Sequence, residues 1–237
     1  MNYALILAGG KGTRMGNTDL PKQFLDLQGE PVIIHTIEKF GLFKGEIERL
    51  IITCPKEWIT YTTDIIRKKW GKDDWIVVTE GGKTRHESIL NGLDFIKSNY
   101  QIGKEDIIIT HDAVRPFVSY RIIKENIEKC KNYHAVDTVI PATDTIVHSV
   151  DGNKLSSIPP RKEVYQGQTP QTFNIEDLLY CYNNLEKETI ELTTDAAKLF
   201  LLLEKDVYIA LGDDSNIKLT TPTDLVIANA MLRKDKF

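Results

Sequence analysis

The chain has 237 residues, 41% of them hydrophobic and 27% charged, enough apolar side chain for a sizeable core and too much for wholesale disorder. Thirty Lys and Arg against 34 Asp and Glu leave a net charge of −4, so no general basic field exists to hold polymeric nucleic acid or anionic lipid. Any phosphate ligand must be gripped locally. Cys54, Cys130 and Cys181 are scattered, with no C-x-x-C pair and no zinc-like spacing, which argues against a disulfide scaffold and gives no metal site. The apolar run 4–8 is too short for a signal h-region or a membrane span, so a cytoplasmic protein without membrane partners is expected.

Short apolar runs alternate with stretches of helical period, the pattern of βαβ units feeding a mostly parallel sheet. Strands are predicted at 3–8, 50–53, 75–79, 106–110 and 135–142. Between them the spacing predicts helices over 31–43, 57–70, 85–100 and 119–130, with Pro31 in a first turn and Ser119 as an N-cap. Then the rhythm breaks. Residues 145–150, the Asp151-Gly152 dipeptide and the run after Lys154 read as a hairpin, an inserted β-arm spanning roughly 143–165. The block 158–173 holds three prolines and little periodicity, which predicts an ordered returning loop. Helices at 175–185 and 195–203, strands at 207–211 and 216–219, and a last helix from Pro222 complete an α/β, Rossmann-like fold in one nucleotidyltransferase-type domain over 1–237.

The first strand leads into Leu7-Ala8-Gly9-Gly10-Lys11-Gly12-Thr13-Arg14-Met15-Gly16. Glycines let a backbone approach phosphate and aim N–H groups at it, while Lys11 and Arg14 can neutralise charge. The other reading is a tight βα turn with solvated charges. The Walker A spacing is absent, and G-x-G-x-x-G aligned on Gly10 and Gly12 puts Met15 where its last glycine belongs, which disfavours P-loop and nicotinamide enzymes. Pro21-Lys22-Gln23-Phe24 follows, bringing Lys22 from the same region as Arg14. Two converging cations are what displacement at phosphorus needs. No Ser-His-Asp or Cys-His order stands out, and none is needed, because an acceptor phosphate is already anionic.

Leu-Ala-Gly-Gly-x-Gly-x-Arg-Met followed by Pro-Lys-Gln-Phe resembles the opening of the cytidylyltransferases that make CDP-alditols from alditol phosphates. Further blocks agree in order along nearly the whole chain: residues 81–89 (GGKTRHESI), 111–117 (HDAVRPF), 165–171 (YQGQTPQ) and 216–222 (NIKLTTP). The 135–140, 111–115 and 165–171 blocks, and Lys218 before Thr220-Thr221-Pro222, are similar to the branch that uses ribitol 5-phosphate. The branch that uses 2-C-methyl-D-erythritol 4-phosphate more typically has Ala at the positions of Val114 and Gly167. His86-Glu87-Ser88 resembles that second branch instead, and Pro160 departs from the ribitol pattern. On balance these blocks favour ribitol 5-phosphate and CDP-ribitol, a cell-wall (teichoic acid) precursor.

The resemblance implies that Leu7, Ala8, Gly9, Gly10 and Gly12 hold CTP, and that Arg14 and Lys22 are catalytic, stabilising the transition state at the α-phosphate. It places Gly81, Gly82, Lys83, Thr84, Arg85, His86, Glu87 and Ser88 at the nucleotide, and Arg161 and Lys218 at the acceptor phosphate. Asp112 stands either near ribose and metal or as a partner holding Arg115. Thr145 and Thr194-Asp195 are ambiguous between site and cap. The resemblance also implies Mg2+ carried mainly on the CTP phosphates and a homodimer through the arm. A non-catalytic nucleotide-binding module is the competing class, and joint retention of Arg14, Lys22, Arg161 and Lys218 speaks against it.

Overall fold

The computed structural model describes residues 1–10 and 20–234. Its elements in chain order are β1 (Asn2–Leu7), β2 (Asp26–Leu27), β3 (Glu30–Pro31), α1 (Val32–Gly41), β4 (Arg49–Cys54), α2 (Ile59–Trp70), β5 (Ile76–Glu80) and α3 (Arg85–Asn99). They continue as β6 (Ile107–Asp112), α4 (Tyr120–Tyr133), β7 (Ala135–Pro141), β8 (Tyr165–Asn174), α5 (Ile175–Asn184), α6 (Lys187–Leu192), α7 (Ala197–Leu202), β9 (Tyr208–Leu211) and α8 (Pro222–Lys234).

Seven strands form one sheet in the order β5-β4-β1-β6-β8-β7-β9, with β2 and β3 paired apart from it. Strands β5, β4, β1 and β6 are parallel, and β8 runs antiparallel between β6 and β7. Because β1 is covered on both sides it is apolar from Tyr3 to Leu7, and its period of two divides the core. Ala4 and Ile6 face one layer with Ile33, Ile37, Phe40, Ile122 and Ile127 of α1 and α4. Tyr3 and Leu5 face the other with Ile89, Leu93, Leu178 and Leu199 of α3, α5 and α7. From β1 the chain steps outward to β4 and β5, then returns to the opposite side of β1 as β6. The carboxyl ends of β1 and β6 are therefore the topological switch point, where open α/β sheets collect ligands.

Three expectations are corrected. The block 158–173 is no loop along its length: β8 is a ten-residue internal strand, buried from Gln168 to Asn174. Its polar side chains hide it, because β8 uses Gln168, Thr169 and Gln171 for hydrogen bonds behind the cleft instead of for alternation. Residues 216–219 form no strand; Leu219 N–H instead donates to the Val114 carbonyl (2.9 Å), in an extended connection. The arm has the expected Asp151-Gly152 turn, Gly152 at φ +73°, yet its pairing is a single antiparallel bridge between His148 and Ser157.

Candidate active site

A cleft of about 380 Å³ opens over the switch point. At its floor Leu7 ends β1, and Gly9 and Gly10 follow. Lys22 reaches the cleft through a 3-10 turn, Lys22–Phe24, entered from Pro21. Two contacts fix that turn. Gln23 is buried and its Nε2 donates to the Ala8 carbonyl (2.7 Å), while Phe24 packs on Trp58 and Tyr61 with ring centroids 5.1 and 5.0 Å away. The lysine stem then lies over Gly10, where a Cβ would meet Lys22 Cε at 3.4 Å.

The facing wall is the turn before α3. Thr84 caps the helix, its hydroxyl accepting from Glu87 N–H (3.1 Å), and Glu87 Oε2 accepts from Lys83 N–H (2.6 Å). Ser88 Oγ accepts from Gly82 N–H (3.1 Å) and donates to the Thr84 carbonyl (2.9 Å). The turn is thus rigid before any ligand arrives, and the positive end of α3 points into the cleft with Arg85 as its first residue.

Asp112, at the end of β6, is the electrostatic centre. Its carboxylate pairs with Arg85, with Lys218 Nζ at 2.9 Å and with Arg115 Nε at 3.6 Å. Burial pushes the Asp112 carboxyl up, but the three cations outweigh it and hold it well below the usual range. Its backbone N–H donates to Thr169 Oγ1 (3.2 Å), whose hydroxyl meets His111 Nδ1 (3.0 Å). The other ring nitrogen donates to the Arg115 carbonyl (3.1 Å), and burial lowers the His111 pKa to about 4, which keeps the ring neutral. Behind Arg85, Gln171 Nε2 donates to Asp137 Oδ1 (3.0 Å) and Asp195 Oδ1 (2.7 Å). Burial, helped by Asp195, raises the Asp137 carboxyl to about 7.

The cleft brings together Leu7, Gly9, Gly10, Lys22, Gly82, Lys83, Thr84, Arg85, Ser88, Asp112 and Lys218. Gly12 and Arg14 lie outside the described residues. Ala8 is turned inward, its N–H donating to Thr53 and its carbonyl occupied by Gln23. Gly81 lies behind the lining, its N–H donating to Cys54. Glu87 serves the cap. His86 is buried away from the cleft, bonded to Tyr182 Oη (2.9 Å) and the Thr193 carbonyl (3.1 Å), with burial lowering its pKa. Arg161 stands exposed on the arm, its Nη2 bonded to Thr145 Oγ1 (3.3 Å), and is not among the lining residues of its own chain. Gln23 and Ala113 line the cleft without having been singled out, each next to a residue that was, and Val114, noted only as a branch-specific position, lines it too.

A family model described as IspD, 2-C-methyl-D-erythritol 4-phosphate cytidylyltransferase, matches residues 3–234. The chain belongs to the IspD family. It is a nucleotidyltransferase of the cytidylyl-transferring kind. Among solved structures it is similar to the 4-diphosphocytidyl-2C-methyl-D-erythritol synthase of Anaerococcus prevotii, with TM-score 0.80, 28% identity and 98% of each chain covered. It is also similar to the Francisella tularensis 2-C-methyl-D-erythritol 4-phosphate cytidylyltransferase, with TM-score 0.77 and 27% identity over 97% of this chain and 98% of that one. The Thermus thermophilus enzyme of that name shares the fold at TM-score 0.73 and 24% identity, covering 98% of this chain and 100% of its own. Among the described residues of this cytidylyltransferase no three His, Cys, Asp or Glu cluster to hold a metal, and no helix is long and apolar enough to cross a membrane. Asp112 is the one carboxylate among the described lining residues. That carboxylate is already paired with Arg85, Arg115 and Lys218, so the donor set fits a divalent ion held chiefly by nucleotide phosphates.

Proposed function

We propose that the chain transfers the cytidylyl group of CTP to the phosphate of a short polyol phosphate, releasing pyrophosphate, and that the acceptor is 2-C-methyl-D-erythritol 4-phosphate. The observation that carries the chemistry is the charge of the cleft. Lys22, Lys83, Arg85 and Lys218 stand against Asp112, net +3 in a chain of net −4. Two polyanions can meet there and are repelled elsewhere.

An acceptor phosphate oxygen attacks the α-phosphorus in line, and the bond to the bridging oxygen breaks as pyrophosphate leaves with the electron pair. Magnesium on the triphosphate supplies further charge neutralisation. Lys22, held over Gly10, stabilises charge on the equatorial oxygens, with Arg14 assigned the same task by resemblance. Lys218, two residues beyond the buried Asn216, takes the acceptor phosphate in exchange for its pair with Asp112. Arg161, remote from its own cleft lining, would reach an acceptor phosphate in a partner's cleft.

The acceptor choice revises the sequence preference for ribitol 5-phosphate, because the family model and the neighbours at 27–28% identity carry the methylerythritol name. Ribitol 5-phosphate stays as the second reading on one observation: Val114, a residue of the ribitol-like block, lines the cleft itself. Pyrophosphate release with CTP and each acceptor in parallel decides between them, since the true acceptor shows the higher kcat/KM. Lys22→Ala is expected to lower turnover by two or more orders of magnitude, about 3 kcal/mol of transition-state stabilisation, at unchanged melting temperature. Near-normal turnover in that variant removes Lys22 from the mechanism, and no release with either acceptor ends the reading.

A further inference from the structure

Gln168 of β8 is not among the cleft lining residues, is 7% exposed, and spends both ends of its carboxamide on one loop. Its Oε1 accepts from Asp213 N–H (3.3 Å) and from Asn216 Nδ2 (3.1 Å), and its Nε2 donates to the Asp213 carbonyl (2.8 Å). Asn216, fully buried, also donates to the Thr169 carbonyl (2.8 Å), and its own carbonyl accepts from Arg115 Nη1 (2.7 Å). Two residues later Lys218 projects its ammonium to Asp112. A lysine stem has many accessible rotamers, so its head stays on one spot only if the backbone beneath it is fixed. β8 supplies part of that fixing, through Gln168 and the Thr169 carbonyl, beside the holds from Arg115 and Val114.

We propose that Gln168 is a positioning residue for Lys218: by clamping the 212–216 loop it sets where the acceptor phosphate is gripped, without touching either substrate. The inference rests on the reading of Lys218 given above. Gly212 supplies an independent handle. A Cβ there would lie 2.3 Å from Gln168 Oε1 and 3.0 Å from Ile140 Cγ2, so an alanine must drive the amide off its loop partners, and the amide is the movable end of a flexible side chain.

The test is steady-state kinetics with both substrates for wild type, Gln168→Leu, Gln168→Glu, Gly212→Ala, Lys218→Ala and the Gln168→Leu/Lys218→Ala double variant, with thermal melts alongside. Gln168→Leu and Gly212→Ala are expected to raise the acceptor KM about tenfold while the CTP KM moves less than twofold, the pattern of lost binding on one substrate. Gln168→Glu keeps the acceptor oxygens for Asn216 and Asp213 N–H but loses the donor, and should fall between. In the double variant the leucine should add nothing to the Lys218→Ala effect. An unchanged acceptor KM in Gln168→Leu, equal loss on both substrates, or additivity with Lys218→Ala overturns the inference while leaving Lys218 its role. An unchanged acceptor KM in Lys218→Ala overturns that role and the inference together.

Discussion

Asp112 and Asp137 are carboxylates that feel the same arginines, Asp112 by direct pairing and Asp137 at longer range, yet their surroundings drive them in opposite directions. Asp112 has Arg85, Arg115 and Lys218 upon it and stays ionised. Its depressed pKa contributes stability above the usual carboxylate range, and that contribution is lost only as pH falls through the lowered value. Asp112→Asn leaves three cations facing one another. A melting free energy lower by about 2–4 kcal/mol, together with strongly reduced turnover, is expected, and calorimetry beside the release assay checks it. Asp137 is raised to about 7 by burial and by Asp195, so the folded chain holds a proton that the unfolded chain releases near its ordinary value. Its contribution is full below about pH 4 and is lost as pH climbs to 7. One pKa unit is worth about 1.4 kcal/mol, and partial exposure of Asp137 reduces the sum to roughly 1–3 kcal/mol. Asp137→Asn keeps the acceptor for Gln171 and removes the titration. The variant should therefore gain several degrees of melting temperature on wild type between pH 4.5 and 8. Parallel melting curves across that range would remove Asp137 as the titrating group.

Among the elements, α3 and α4 are opened by the same device, a hydroxyl cap with an extended backbone, and differ in what the cap carries. Ser119 accepts from Ile122 N–H (3.3 Å) and serves packing alone. Ser119→Ala is expected to cost about 1 kcal/mol by denaturant titration with both KM values unchanged. At α3 the cap is also the cleft wall. A Cβ on Gly82 would come within 2.0 Å of Glu87 Cβ and 2.8 Å of its backbone carbon, so Gly82→Ala must shift the turn itself. The CTP KM should rise well before the acceptor KM does, and equal effects on both would contradict this division. These contrasts mark what sequence could carry. The parallel strands were legible because both faces of β1, β4 and β6 are apolar, and Ser119 and the start of α3 were legible because capping chemistry is local. β8 was not, since residues 165–171 place Gln168, Thr169 and Gln171 for hydrogen bonds to three different elements, which erases alternation. The cleft lysines were visible as residues in blocks. The burial of His86, and the inward turn of Ala8, depend on Tyr182, Thr193 and Thr53, partners no local pattern announces.

In the molecule as a whole, the arm carries a run of apolar side chains that its own fold leaves uncovered. Val147, Val150, Leu155 and Ile158 are exposed, Val150 at 82%, on a segment held together by the His148–Ser157 bridge and by the Asp151 turn. Neither the bridge nor the turn covers these side chains, and ordering the arm costs about 1 kcal/mol or more per residue, so the apolar side chains need a covering surface. A second copy would supply one by symmetry, arm against arm, and would bring Arg161 toward a neighbouring cleft. Sedimentation or light scattering at micromolar concentration should therefore give twice the chain mass. Replacing Val150 and Leu155 by Asp should give the single-chain mass with an unchanged far-ultraviolet spectrum, because the seven-stranded sheet and both its cores lie elsewhere. If Arg161 acts across that contact, the monomeric variant loses acceptor affinity while retaining CTP binding. An Arg161→Ala chain mixed with an equal amount of a Lys22→Ala chain should then recover part of its activity, since about half of the dimers pair one chain of each kind and each such dimer holds one cleft with Lys22 intact and a neighbour's Arg161. A wild-type protein that stays monomeric at micromolar concentration contradicts the arm's role, and a dimer whose mixtures recover nothing contradicts Arg161's.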